Sequence, residues 1–259
     1  VACLLIDNGD AVLIPDIDLI RRELASRGLF PAIEVYDVTD STNTRARALL
    51  EHTESDILVI ASEQTGGKGS HGRSFYSPMD TGLYFSAGYR SLGGELPVTF
   101  AAAAASVRAL GHFGTQTSVK WVNDLILSGR KAGGILCERT AAGDVIVGIG
   151  INLTEPEGGF PEEISGIAAA AENSAIRRDE LAAVLYKELT EELGKDAREI
   201  MDDYRKFCET AGRRITFDPG TGRVEAYAVR VEDNGALLIR MDDGTEKKLG
   251  SGNVSIRNV

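Results

Sequence analysis

Val145-Ile146-Val147-Gly148-Ile149-Gly150-Ile151-Asn152-Leu153 alternates along its length, and in a strand that alternation sorts its side chains onto two faces. Val145, Val147, Ile149, Ile151 and Leu153 share the face that belongs in a core. Ile146, Gly148, Gly150 and Asn152 share the other, a flat wall ending in an amide. Strand glycines mark close approach by a ligand or another backbone, although a bulge or a tight helix contact would also account for them. Upstream, Lys131-Ala132-Gly133-Gly134-Ile135-Leu136 repeats the theme with a lysine at its head. Strands are expected over 118–127, 131–139 and 145–153. They are joined by the hairpin turns Ser128-Gly129-Arg130 and Ala141-Ala142-Gly143-Asp144. Antiparallel neighbours with helices before and after them make the class α+β.

On the N-terminal side, a helical pattern from Ile17 to Leu29 stops before Pro31, and Ile33 to Val38 alternates like a half-buried strand. Asp40 or Ser41 can cap a helix running to about His52, and Ile57-Leu58-Val59-Ile60-Ala61 reads as a buried strand. A strand near 82–88 and an alanine-rich helix over about 97–112 follow. A single long helix is expected over about 178–211. From Arg213 the pattern changes to short strands at 215–217, 224–231, 236–241 and 246–249, with tight turns at Asp233-Asn234-Gly235 and Asp242-Asp243-Gly244. That stretch suffices for a small barrel but is marginal alone, so it should dock on the larger unit. The expected divisions are an N-terminal extension, 1–32, a main domain, 33–208, and a small β-barrel, 209–259.

The loop Gln64-Thr65-Gly66-Gly67-Lys68-Gly69-Ser70-His71-Gly72-Arg73 places four glycines among three potentially cationic side chains. Glycine lets backbone N–H groups approach an anion closely, and Lys and Arg neutralise it. A mobile surface loop with incidental charges would share that composition. The net charge of −11 argues against a large nucleic-acid footprint, so the loop cations point at a small anion. No apolar run approaches the roughly 20 residues that span a bilayer, and nothing reads as a secretory leader, so a cytoplasmic location is the expectation. Cys3, Cys137 and Cys208 are too few and too scattered for a disulfide framework or a clustered zinc site. Lys120-Trp121-Val122-Asn123-Asp124, beside the lysine-headed strand, adds an acid suited to Mg²⁺. Together with the two flat slots it fits nucleotide-dependent activation of a carboxylate.

Taken in order, six motifs closely resemble those of the biotin protein ligases. They are Asp40-Ser41-Thr42-Asn43, Glu63-Gln64-Thr65 with its glycine loop, Gly82-Leu83-Tyr84-Phe85-Ser86, the Lys120 to Asp124 motif, the Lys131 to Leu136 motif and Gly148 to Leu153. The resemblance covers about residues 33–259. It implies a class II synthetase-like mixed or antiparallel sheet with flanking helices, closed by an SH3-like barrel. It also implies a two-step ligase that makes biotinyl-5'-AMP from biotin and ATP with Mg²⁺, then biotinylates a lysine of a biotin carboxyl carrier protein. No tightly bound prosthetic group is expected. Lys131, Arg73 and Asp124 would be catalytic, Asp124 holding magnesium. Ser41, Thr42, Asn43, Gln64, Gly67, Lys68, Gly133, Gly134, Leu136, Gly148 and Gly150 would bind biotin. Ser70, His71, Arg73, Phe75, Lys120, Asn123, Asp124, Lys131 and Asn152 would bind ATP. Ser41 could instead be a helix cap.

The chain departs from the family pattern in its loop. Lys68, Ser70 and His71 stand where relatives carry arginines, Phe75 where they often carry Trp, and Val122 where they often carry Pro. Loss of the charge at Ser70 is expected to let biotinyl-AMP escape sooner, His71 could restore charge at low pH, and the smaller Phe75 ring should stack less on adenine. Some relatives carry an N-terminal DNA-binding domain; about 35 residues before the catalytic pattern are too few for one, so no repressor activity is expected. A homodimer could form through a strand edge, as in relatives. A lipoate ligase of the same fold and a biotin-binding protein with impaired catalysis remain the alternatives.

Overall fold

The computed structural model describes residues 15–90, 92, 97–220, 222–250 and 254–256, with the side chains of His71 and Ser255 outside the description. Residues 1–14, which hold Cys3 and much of the expected extension, lie outside the described residues. The first described elements are α1 (Ile17–Ala25), β1 (Ala32–Thr39), α2 (Thr42–His52), β2 (Ile57–Gln64), β3 (Gly82–Tyr89) and α3 (Val98–His112). Then come β4 (Ser118–Lys120), β5 (Asp124–Leu127), β6 (Arg130–Arg139), β7 (Val145–Asn152) and the short α4 (Glu162–Ser165). The remainder comprises α5 (Arg178–Leu193), α6 (Ala197–Phe207), β8 (Arg214–Phe217), β9 (Val224–Val231), β10 (Leu237–Arg240), β11 (Glu246–Leu249) and β12 (Val254–Ile256).

Seven strands form a mixed sheet in the order β1-β2-β3-β7-β6-β5-β4. Among the described strands of this sheet only the β1–β2 pair is parallel, because α2 crosses over between them; the other pairs are antiparallel, β5–β6 and β6–β7 through the expected hairpin turns. Val147, Ile149 and Ile151 enter the main core with Leu58, Ile60, Leu83 and Phe85, against α3 and α5. The alanines of α3 are buried along almost its whole length, which lets it pack closely on α5 and α6. On the opposite side of the sheet, Ala46 and Leu50 of α2 pack on Ile57, Val59 and Ile146. The Arg90 guanidinium grips the carbonyls of Leu50 and Thr53, anchoring the end of α2.

Two expected elements divide. The strand expected over 118–127 is the pair β4 and β5, which fold back on each other with Lys120 opposite Asp124. Trp121 at the turn is buried: its backbone N–H donates to Thr210 Oγ1 at 2.8 Å and its indole N–H to the Gly235 carbonyl at 3.0 Å. The helix expected over 178–211 ends at Leu193 and restarts at Ala197. Gly194 ends α5, and Asp196 opens α6 with a capping box to Glu199, whose two hydrogen bonds stabilise a new start.

The second sheet has the order β11-β10-β9-β8-β12. Its Ile215, Ala226, Ala228, Leu237 and Ile239 are buried in the same apolar cluster as α3 and the main sheet, so it docks on the larger unit as expected. Among the described residues, no helix is long and apolar enough to cross a membrane.

Candidate active site

The glycine face of β7 floors a cavity of about 520 Å³, walled by the start of α2, the glycine loop, β6 and the segment 160–168. The polar end is built first by α2. Ser41 holds the N-cap position in an extended conformation, yet its side chain makes no capping hydrogen bond, and it is buried at the cavity wall. Thr42 donates to Gln64 Oε1 twice, from its N–H at 2.8 Å and its hydroxyl at 3.1 Å. The Gln64 amide in turn donates to Ser77 Oγ at 3.1 Å, and Ser77 donates to the Phe75 carbonyl at 2.8 Å. This chain locks the Gln64 amide and joins the strand to the loop.

Two glycines of the floor hold room for side chains from elsewhere. A Cβ on Gly148 would stand 2.2 Å from Asn43 Oδ1, and one on Gly150 would stand 2.5 Å from the Phe75 ring. Phe75 therefore lies across the floor at Gly150 and approaches Gly134. The loop closes over it through antiparallel contacts between Lys68 and Ser74 and between Gly69 and Arg73. Lys68 Nζ reaches across to Thr44 Oγ1 at 3.1 Å. Arg73 lines the cavity and donates to Ser70, to its carbonyl at 3.1 Å and its hydroxyl at 3.0 Å.

The charged end is built by the β4–β5–β6 hairpins. Lys131 Nζ lies 2.5 Å from Asp124 Oδ1 and 3.3 Å from the place a Cβ on Gly134 would occupy, while Lys120 Nζ lies 2.9 Å from Asp124 Oδ2. Burial would raise the Asp124 carboxyl, but the two ammonium groups more than offset it and hold the carboxyl below its ordinary range. The Lys131 backbone is fixed at both ends, by its N–H to the Ile167 carbonyl at 2.7 Å and by its carbonyl to the Ala169 N–H at 2.8 Å. Asn123 spends its amide on the Ile135 carbonyl at 2.7 Å, and Asn152 donates to the Ala169 carbonyl at 3.0 Å.

Asp124 is the acid expected to hold magnesium. Both of its oxygens already face lysines, and among the described residues no group of three or more His, Cys, Asp and Glu gathers that could hold a metal. With both oxygens on lysines, the Asp124 carboxylate does not fit a protein-held magnesium.

The cavity brings together Ser41, Thr42, Asn43, Gln64, Lys68, Ser70, Arg73, Phe75, Asn123, Lys131, Gly134, Leu136, Gly148, Gly150 and Asn152 of the expected set. Lys120 and Asp124 sit behind Lys131, off the wall. Gly67 is off it too: a Cβ there would strike the Phe75 carbonyl and Ser77 Oγ, so this glycine permits the loop to fold. Gly133, expected in the wall, turns towards Leu125 and the Gly150 carbonyl, because alternation along β6 pairs it with core-facing Ile151 of β7 while Gly134 pairs with Gly150 on the cavity face. The His71 side chain is outside the description. Sequence reasoning missed Phe160, Pro161, Ile164, Ile167 and Ala168, which add an apolar wall. Their signal was apolar residues in a Gly- and Pro-rich stretch, with Ile167 left 61% exposed.

Residues 35–153 match the biotin/lipoate A/B protein ligase family. The chain is 29% identical over 234 residues to the bifunctional ligase/repressor BirA of Bacillus subtilis, covering 82% of this chain and 70% of that protein. It is 29% identical over 226 residues to the biotin–[acetyl-CoA-carboxylase] ligase of Mycobacterium tuberculosis, covering 80% and 82%. The biotin protein ligase from Aquifex aeolicus in complex with biotin and ATP superposes with a TM-score of 0.73 at 26% identity, covering 89% of this chain and all of that one. Sheet order, lysine-headed cavity and relatives agree: residues 35–153 carry the biotin/lipoate A/B protein ligase pattern, and the chain is similar in sequence and fold to biotin protein ligases.

Proposed function

We propose that the cavity joins biotin to ATP and then passes it to protein. A biotin carboxylate oxygen attacks the α-phosphorus of ATP; the bond from that phosphorus to the bridging oxygen breaks, leaving biotinyl-5'-AMP and pyrophosphate. A neutral lysine amine of a biotin carboxyl carrier domain then attacks the acyl carbon. AMP departs with the electron pair of the acyl–oxygen bond, and the amine proton passes to solvent.

The physical obstacle in the first step is repulsion between two anions. The observation that carries the reading is the placement of Lys131 at the glycine floor, held by Asp124. Two lysines on one carboxylate leave a net charge of +1, the sign that two meeting anions need, and a fixed ammonium stabilises charge that develops between them. Ser41, Thr42 and Gln64 suit the ureido group, and the apolar floor suits the ring and tail. Arg73, Phe75, Asn123, Asn152 and the 160–168 wall suit the nucleotide. Magnesium supplies charge neutralisation on ATP phosphates when bound to them. The supply of ATP favours the cytoplasm, and the exposed edge of β1, with Val38 46% and neighbouring Phe30 74% exposed, would serve a homodimer.

Pyrophosphate release with ATP and biotin tests this. The wild type should release it with biotin and not with lipoate, and Lys131→Ala should lower kcat by about 10²-fold or more. Release driven by lipoate, or none with either acid, overturns the reading.

A further inference from the structure

We propose that Ser86 is a positioning residue that sets the hydrogen-bond polarity of the Thr42 hydroxyl, so that the cavity prefers a ring bearing an N–H donor. The inference rests on the biotin reading of the cavity. Ser86 lies on β3 opposite Gly148, is 0% exposed and does not line the cavity. Its Oγ lies 2.7 Å from both Thr42 Oγ1 and Asn43 Oδ1.

The proton directions can be followed outward. Asn43 gives its amide N–H groups to Glu138 Oε2 at 2.8 Å and to the Leu136 carbonyl at 3.3 Å, so its Oδ1 must face Ser86 as an acceptor. Arg47, 3.5 Å from the other Glu138 oxygen, steadies that carboxylate. Gly148 makes room for the Asn43 oxygen, since any Cβ there would collide with it. The Ser86 proton is thereby drawn into the space between Asn43 and Thr42. Thr42 sends its own proton to Gln64 Oε1 at 3.1 Å, while Ser86 shares its single proton between Asn43 Oδ1 and Thr42 Oγ1. Gln64 accepts there because its amide N–H is committed to Ser77. With its proton engaged, Thr42 Oγ1 accepts from Ser86 and keeps one lone pair for the cavity it lines. That lone pair welcomes a ureido N–H. A dithiolane, having no donor, would leave it buried and unmatched.

Without Ser86 the Thr42 hydroxyl loses its incoming donor, and only the longer 3.1 Å bond to Gln64 Oε1 orients it towards the ligand. Binding of biotin and of ATP, each measured by calorimetry on the full chain, tests the assignment without requiring turnover. Ser86→Ala should weaken biotin about tenfold, the order of one lost net hydrogen bond, and leave ATP affinity within about twofold. Glu138→Gln lies away from the cavity wall and keeps the side-chain shape. By freeing the Asn43 amide to flip, it should weaken biotin in the same direction and spare ATP. Unchanged biotin affinity in both variants, or biotin and ATP weakened together, overturns the proposal, and Glu138→Gln decides it if Ser86→Ala fails to fold. A wild type that binds biotin but releases no pyrophosphate overturns the proposed reaction and leaves the Ser86 assignment to the binding data. A wild type that does not bind biotin overturns both.

Discussion

Phe75 and Gly150 interlock: the ring from the loop occupies the space where any other residue at 150 would carry its Cβ, 2.5 Å from the nearest ring carbon. Gly150→Ala must therefore lift the ring off the floor. We expect a loss of about 1–3 kcal/mol in stability, the usual cost of overpacking, with a raised KM for ATP. A double-mutant cycle read by denaturant unfolding checks the cause: adding Phe75→Ala should recover much of the lost stability. Strictly additive losses would place the strain elsewhere.

Asp124 binds two lysines, and its carboxyl is held below the ordinary range because their attraction outweighs the burial that would raise it. A depressed folded-state pKa contributes stability above the unfolded value and loses it as pH falls through the folded one. Asp124→Asn should cost about 1–3 kcal/mol at pH 7. Its deficit against the wild type should stay level down to pH of about 4 and narrow below it. Urea unfolding across that range is the measurement; a deficit that widens on acidification would contradict the ion-pair account.

The hydrophobic alternation of β7, the hairpin joints on either side of β6 and the short strands after Arg213 were legible because each depends on neighbours in sequence. The break between α5 and α6 was written too, in Gly194 and the Asp196 to Glu199 box, but the apolar periodicity running through it hid the stop. What fills the glycine floor was not legible: Gly148 and Gly150 announced space, while the groups in it, Asn43 and Phe75, come from about 75 or more positions away. Gly133 was placed in the wall by resemblance alone, whereas neighbours in a strand face opposite sides and its pairing with Ile151 puts it towards the core. The 160–168 wall escaped because it has no period, its short helix spanning only Glu162–Ser165.

Gly235 and Gly244 offer a matched pair at the docking of the second sheet. Both have φ of +83°, but a Cβ on Gly235 would lie 2.5 Å from the Phe100 ring, and one on Gly244 would meet open space. Each change to Ala should cost about 1–2 kcal/mol for the left-handed backbone. Gly235→Ala should cost about 1–3 kcal/mol more for the clash. Thermal unfolding of both variants checks this, and equal losses would show that α3 yields freely to the sheet.

Ser70 accepts two hydrogen bonds from Arg73, one on its carbonyl and one on its hydroxyl, so the loop arginine is drawn back along the chain. An arginine at position 70 would keep the carbonyl bond, lose the hydroxyl one and add a planar cation at the cavity wall, where the adenylate phosphate would form. Ser70→Arg should therefore slow escape of biotinyl-AMP by about tenfold, the order expected for one charge-assisted hydrogen bond. Pulse-chase of labelled adenylate without acceptor protein reads the lifetime directly. The half-reaction that releases pyrophosphate should change little, because Lys131 and Asp124 are untouched. If the lifetime stays the same while pyrophosphate release falls, residue 70 acts on bond making rather than on retention.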